Sequence, residues 1–475
     1  MNDGDDDDAR QPGSWREMGA RAHLGAAATL GGGTFVFSIA TFIVTTTLPT
    51  VVREIGGLRW FAWSTTIYVV ASLVAGALTA GLLAKSGPRI AYRIAMALFA
   101  AGALLCATAH NMGWLLAGRL VQGLGGGMLS ALAFSMVRAL FPRRLWSRAM
   151  AVISVVWGVS TMAGPAVGGL FAEAGAWRGA FFSLAAAVPL LWVVVELSLP
   201  RGLPPGAPPR KLALGNLLLL AASAMAVALG GSATFWQGSL VGLIAAAGGI
   251  AWFRARESGS VRLLPRGALD PRQGLGGTYA AQTFLLIAVV TEIYIPYFLQ
   301  NLHGLSPLHA GYMSALMAGG WTLGSLASSG TDGMRRRLAM VLGPVAQFLA
   351  LLGLALLLPR PQPLHGGGAG TLLGIGAALL ALGAGIGLCW PQLGARVFVT
   401  APAGEKELAA ACMTVVITLA NAFGSALAGM VTNLAGVTVP GDTARAAMAL
   451  YGAFAIAPVL ALAAILRVHA EEGVE

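Results

Sequence analysis

Residues 113–136 read GWLLAGRLVQGLGGGMLSALAFSM, a stretch of 24 residues with one charge, Arg119, and no proline. An α-helix rises about 1.5 Å per residue, so this length covers the roughly 30 Å hydrocarbon core of a bilayer. Its backbone groups bond within the segment, as they must where no water is present. Gly123, Gly125, Gly126 and Gly127 leave room for a neighbouring backbone to approach. The stretch reads as a packed membrane helix that carries one cation.

The same pattern repeats along the whole chain. Of 475 residues, 57% are hydrophobic and 10% charged, with a mean hydropathy of +0.75. Soluble domains carry about 25% charged residues, so a water-soluble fold is excluded. The period-2 alternation of a membrane barrel is absent. Fourteen apolar helices are expected, at about 28–51, 62–84, 90–109, 113–136, 148–172, 177–199, 212–231, 236–254, 275–300, 308–329, 337–358, 369–393, 407–434 and 446–468. The fold class is an all-α membrane protein. An acidic start, with Asp5 to Asp8 in a row, is the opposite of a signal peptide, and residues 1–27 read as a disordered cytoplasmic tail. Residues 469–475 form a second tail on the same side.

Charge placement fixes an orientation. With both termini inside, 24 of the 30 Lys and Arg fall in internal segments, five outside and one, Arg119, within a helix. That is the positive-inside pattern of a cytoplasmic membrane protein. It also accounts for the net charge of +11 without a nucleic-acid partner. Cys106, Cys389 and Cys412 are scattered through apolar blocks, which suits neither a disulfide framework nor a metal site. Phosphate loop, nucleophile elbow and zinc motif are all missing. The chain is expected to be neither an enzyme nor a cofactor carrier, but a monomer in the inner membrane.

Gly81-Leu82-Leu83-Ala84-Lys85-Ser86-Gly87 and Gly324-Ser325-Leu326-Ala327-Ser328-Ser329-Gly330 share the pattern G-x-L-A-x-S-G, eight helices apart. Parallel halves of transporters show internal symmetry of this kind. The offset implies two six-helix bundles, 28–199 and 275–468, with two helices inserted at 212–254.

Arg119-Leu120-Val121-Gln122-Gly123-Leu124-Gly125-Gly126-Gly127 reads R-x-x-Q-G-x-G-x-G. Gly158, then Gly164-Pro165-Ala166-Val167-Gly168-Gly169, reads G…G-P-x-x-G-G, followed by Trp177-Arg178 and Phe181-Phe182. Pro296-Tyr297-Phe298-Leu299-Gln300 precedes Gly304 and Ser306-Pro307. Taken in order over nearly the whole chain, these motifs resemble the major facilitator superfamily, and within it the fourteen-helix drug/proton antiporters. The resemblance implies that Gly123, Gly158, Gly164, Pro165, Gly168 and Gly169 serve conformational change. Small residues admit close packing and a proline bends a helix, which suits alternating access. Two departures stand out. Lys85 and Ser86 replace the acid and base that follow G-x-L-A in the family. Ala40 stands where drug antiporters typically carry a membrane aspartate, so proton coupling through that position is closed.

A charge at the bilayer centre costs roughly 2.5–3.5 kcal/mol, which makes each one a functional candidate. Glu292, in an apolar helix, suits a group that takes up and releases protons; its alternative is a solvated carboxylate near the outer mouth. Arg119 lies about six residues, roughly 9 Å, from the outer end of its helix. It binds an acidic group or modulates a proton site, as the resemblance implies, or else snorkels outward. Gln122 shares its face. Trp157, Tyr294, Trp321, Trp390, Asn421 and the run Thr45 to Thr47 are candidate cavity residues, packing being the alternative for each. Glu173 and Glu196 read as interfacial, and Trp60, Trp63, Trp114 and Trp177 as an outer aromatic belt.

The leading expectation is proton-coupled efflux of small amphiphilic or cationic compounds. Transport of a metabolite or organic anion on Arg119 stays open, as does a receptor or scaffold built on a transporter fold. A proton-pumping respiratory subunit would need lysines in mid-membrane, and Lys85, Lys211 and Lys406 all sit at expected loops.

Overall fold

Where backbone polar groups have no water to bond, apolar runs become helices, and the computed structural model is helical throughout. It describes residues 14–199, 213–233, 235–257, 262–360 and 368–472, among which there is no strand. The helices are α1 (Arg21–Ile55), α2 (Trp63–Ala107), α3 (Met112–Leu140), α4 (Trp146–Glu173), α5 (Trp177–Ser198), α6 (Leu214–Gly231) and α7 (Trp236–Arg256). They continue as α8 (Gly274–Val290), α9 (Ile295–Leu302), α10 (Pro307–Ser328), α11 (Gly333–Leu357), α12 (Gly368–Thr400), α13 (Lys406–Leu434), α14 (Thr443–Phe454) and α15 (Ile456–Glu472).

Twelve continuous helical stretches among the described residues are long and apolar enough to cross a membrane. One, Leu58–Ala107, is 50 residues long and holds two crossings. It breaks at Gly87, whose φ of 74° no L-residue adopts without strain, followed by Pro88. Helix α10 is less apolar than those twelve but has membrane length at 22 residues. Together these make the expected fourteen crossings.

Contacts divide the chain into two units. The first comprises Met1–Thr47 and Ile67–Lys211, the second Leu48–Thr66 and Leu212–Glu475. The segment Leu48–Thr66, expected in the N-terminal bundle, thus belongs with the C-terminal helices. Its bonds explain why. Trp63 Nε1 donates to the Ala228 carbonyl at 3.1 Å, Thr66 and Ser425 hydroxyls meet at 2.8 Å, and Asn433 Nδ2 donates to the Arg59 carbonyl at 2.9 Å. Helices α6 and α7 belong to the second unit too, α6 lying against α13.

Residues 14–27, expected within a disordered tail, are mostly helical. Ser14 caps a short helix, Trp15–Met18, by accepting from the Glu17 N–H at 3.1 Å, and Glu17 pairs with Arg144 at 2.8 Å. Residues 1–13 lie outside the described residues, as does the linker 200–212. The connection after α7 is pinned by two carboxylates. Glu257, buried, accepts from the backbone of Leu263 and Leu264, each at 2.9 Å, and from Asn216 Nδ2 at 2.5 Å. Glu405 accepts from the Arg266 N–H and from Arg262, both at 2.8 Å.

Candidate functional site

In the first unit, α3 is the central element. Asn111 caps it by accepting from the Trp114 N–H at 2.8 Å. Its glycines receive both arms of α2. A Cβ at Gly123 would lie 2.5 Å from the Tyr68 carbonyl oxygen, and one at Gly127 would fall on the Ser72 backbone. On the other side, a Cβ at Gly125 would fall on the backbone of Ala95 and Phe99. These contacts set α3 deep enough to bury Arg119 and Gln122 completely.

Arg119 does not snorkel. Its guanidinium lies 3.9 Å from the centroid of the Tyr68 ring and donates to Gln122 Oε1 at 2.6 Å. The Tyr68 hydroxyl in turn donates to the Phe37 carbonyl at 3.2 Å. A planar cation held against an aromatic face is a strong use of arginine. The other half of the Gln122 amide, Nε2, is buried with no hydrogen-bond partner among the described residues. Such a donor costs about 1–3 kcal/mol unsatisfied, and a ligand oxygen would relieve it.

Trp157 is 37% exposed and meets Phe37 and Phe42 edge-on, at 6.0 and 6.4 Å. Gly164 faces Phe42, and a Cβ at Gly168 would come 2.8 Å from the Ile43 carbonyl oxygen, so this part of the expected motif joins α4 to α1. Gly169 is buried, and the helix runs through Pro165. Gly158 is different. It lies on an exposed face, and a Cβ added there would meet nothing within 4 Å, so the expectation that it admits a neighbouring backbone is corrected. Ala40 is fully buried.

In the second unit, Glu292 sits in a 3-10 turn, Thr291–Tyr294, between α8 and α9. The expected single helix over 275–300 is broken there because Pro296 has no N–H to offer the Glu292 carbonyl four residues back. Ile295 bonds that carbonyl instead, with the tighter 3-10 spacing. The Glu292 side chain is half-buried. Beside it, the Tyr451 hydroxyl donates to the Thr291 carbonyl at 3.4 Å. Tyr294 is buried between Phe61, at 4.8 Å, and Phe298, at 5.8 Å, and its hydroxyl accepts from Thr432 at 2.9 Å.

Trp321 and Trp390 form an edge-to-face pair at 5.4 Å, joining α10 to α12. Asn421 is half-buried and spends its Nδ2 on the Ile417 carbonyl of its own helix at 2.9 Å. Thr45, Thr46 and Thr47 likewise bond carbonyls four residues back in α1. Glu196 is more than interfacial, since it takes both Arg89 and Arg93. In the expected aromatic belt, Trp114 is exposed but Trp63 and Trp177 are buried, Trp63 by its bond to Ala228 and Trp177 by packing on Phe181 at 6.0 Å.

Two polar residues fall outside the sequence candidates. Tyr68 is the ring beneath Arg119. Gln282, in α8, is fully buried with neither amide atom bonded among the described residues. An amide inside an apolar run is the available signal for Gln282. For Tyr68, 51 residues from its partner, spacing carries none.

The Major Facilitator Superfamily model matches residues 30–219. A "probable multidrug-efflux transporter" of Mycobacterium tuberculosis is 35% identical over 465 residues, covering 94% of this chain and 95% of that protein. Multidrug resistance protein 3 of Bacillus subtilis is 26% identical over 345 residues, 69% of this chain and 65% of its own length. A crystal structure of the peptide transporter POT with sulfate aligns over 97% of both chains, with a TM-score of 0.67 and 15% identity, a likeness of fold.

Proposed function

We propose that this chain, which belongs to the major facilitator superfamily, exports small amphiphilic or cationic molecules across the cytoplasmic membrane in exchange for protons. It is a multi-pass transporter of small molecules, not an enzyme. The observation that carries the efflux reading is similarity over nearly the full length to a protein named as a multidrug-efflux transporter.

The chemistry supports division of labour. With Ala40 in place of the family's aspartate, Glu292 is the carboxyl assigned to the proton. It is half-buried at a turn where Pro296 has loosened the helix, a place where a side chain can alternate between water and protein. Trp321 with Trp390, both part-exposed, offers aromatic faces of the kind that attract cations and flat apolar bodies, whereas the Tyr294 ring is already covered on both faces by Phe61 and Phe298. Gln122 supplies an unspent donor for a substrate oxygen. The orientation with both termini inside rests on charge placement.

Everted vesicles with an acid interior and a pH-sensitive dye test this. Lipophilic cations should discharge the gradient through the wild type and fail to do so through Glu292→Gln inserted to the same level. Discharge that is equal in both would remove Glu292 from coupling; no discharge by any cation would remove drug/proton exchange. A second reading, transport of organic anions, rests on the fixed charge of Arg119. It requires anionic compounds to discharge the gradient in an Arg119-dependent way where cations do not.

A further inference from the structure

The outer face of the first unit carries a groove of 770 Å³ between the second arm of α2 and α5. That volume is in the range of small-molecule sites, roughly 300–1,000 Å³. Small residues open it, Ala97 and Ala100 from α2 against Ala185 and Ala186 from α5. Leu104 and Phe182 close one end, and both are exposed on the lipid-facing side.

Chemistry changes in order along its length. At the end opposite Leu104 come Met96 and Trp192. Trp192 Nε1–H makes no hydrogen bond to another described residue, a lone donor in an apolar wall. One helical turn further lie Arg93, on α2, and Glu196, on α5, on the faces that line the groove. Arg93 contacts Glu196 at 2.6 and 2.9 Å, and Arg89 reaches the same carboxylate at 3.4 Å. Two guanidiniums sharing one carboxylate leave a net positive charge, and the Arg93 side chain is 45% exposed.

Cation, then hydrogen-bond donor, then apolar trough is the order in which a phospholipid presents phosphate, ester carbonyl and acyl chain. From Met96 to Leu104 the trough runs about 12 Å along the helix, most of one leaflet's hydrocarbon half. We propose that this groove binds a phospholipid of net negative charge, one chain in the trough and the phosphate at Arg93. A transported cation would meet like charge at the same end, which favours the anionic lipid as occupant.

Native mass spectrometry of the full-length protein in detergent, titrated with dioleoyl phosphatidylglycerol or dioleoyl phosphatidylethanolamine, tests the proposal. The wild type should retain phosphatidylglycerol in preference. Ala100→Leu with Ala186→Leu, which fills the trough, should remove the tightest-bound lipid while leaving the thermal unfolding midpoint of the lipid-free protein in place. Arg93→Gln should lower the preference for phosphatidylglycerol about fivefold, the share of one basic residue at an anionic surface, and Arg93→Lys should restore it. An unchanged lipid count in the filled variant overturns the proposal. So does equal retention of both lipids by the wild type, or displacement of the lipid by a transported cation at matched occupancy.

Discussion

At Arg119 the surroundings ask for a plane as well as a charge. The guanidinium sits over the Tyr68 ring and bonds Gln122 in a fully buried place, which an ammonium on a flexible stem does not reproduce. Arg119→Lys is therefore expected to insert normally and lose most transport in the vesicle assay, with Tyr68→Leu giving the same loss. Glu405 makes a prediction in solution chemistry. The Arg266 N–H first, against some opposition from burial, and then Arg262 hold its carboxyl below the usual carboxylate range. Its stabilising share is present above the unfolded value of roughly 4.3 and vanishes as pH falls through the lower folded value. Glu405→Gln should thus unfold at lower temperature than the wild type in detergent at pH 7, and the gap should close on acidification. The pair Arg119 and Gln122 was legible in the sequence because residues three apart share a helical face. Tyr68 was not, because a ring on another helix leaves no trace in spacing.

Helix packing separates Gly158, which meets nothing, from Gly123, Gly125, Gly126, Gly127, Gly164 and Gly168, which lie against a neighbouring helix. Gly127→Val would drive a side chain into the Ser72 backbone and should destabilise by about 1–3 kcal/mol, the usual penalty of overpacking; loss of the monodisperse protein on warming would show it. Gly158→Ala meets empty space and should leave the unfolding midpoint where it is. Motif reading treats all six positions alike, since a sequence states that a residue is small and not what it faces. The same limit applies to Gly81 and Gly324, identical in the internal repeat. A Cβ at Gly81 meets nothing within 4 Å, whereas one at Gly324 falls on the Ala384 carbonyl of α12. The turn at Glu292 was legible in principle from Pro296, but an unbroken apolar run masked it.

Over the whole molecule, apolar length gave the crossings and loop charge gave an orientation, because both follow from the bilayer. Which helices sit together did not follow, since neighbours in lipid are chosen by side-chain contacts such as Trp63 with Ala228. The orientation is open to labelling, as Cys106, Cys389 and Cys412 are all buried and give little background. His110→Cys should react with an impermeant maleimide in intact cells, and Ser329→Cys only after permeabilisation; the reverse pattern would invert the topology. The modest hydropathy of α10 also has a consequence for how the chain is made. Its glycines Gly320 and Gly324 lie against Leu380 and Ala384 of α12, residues that leave the ribosome about 50 positions later than Ser328. At roughly 5–20 residues per second that is an interval of several seconds. During it this weakly apolar crossing touches α9 but lacks α12, its main neighbour, so a nascent chain halted near Leu357 should hold α10 loosely, still open to slipping back out of the bilayer.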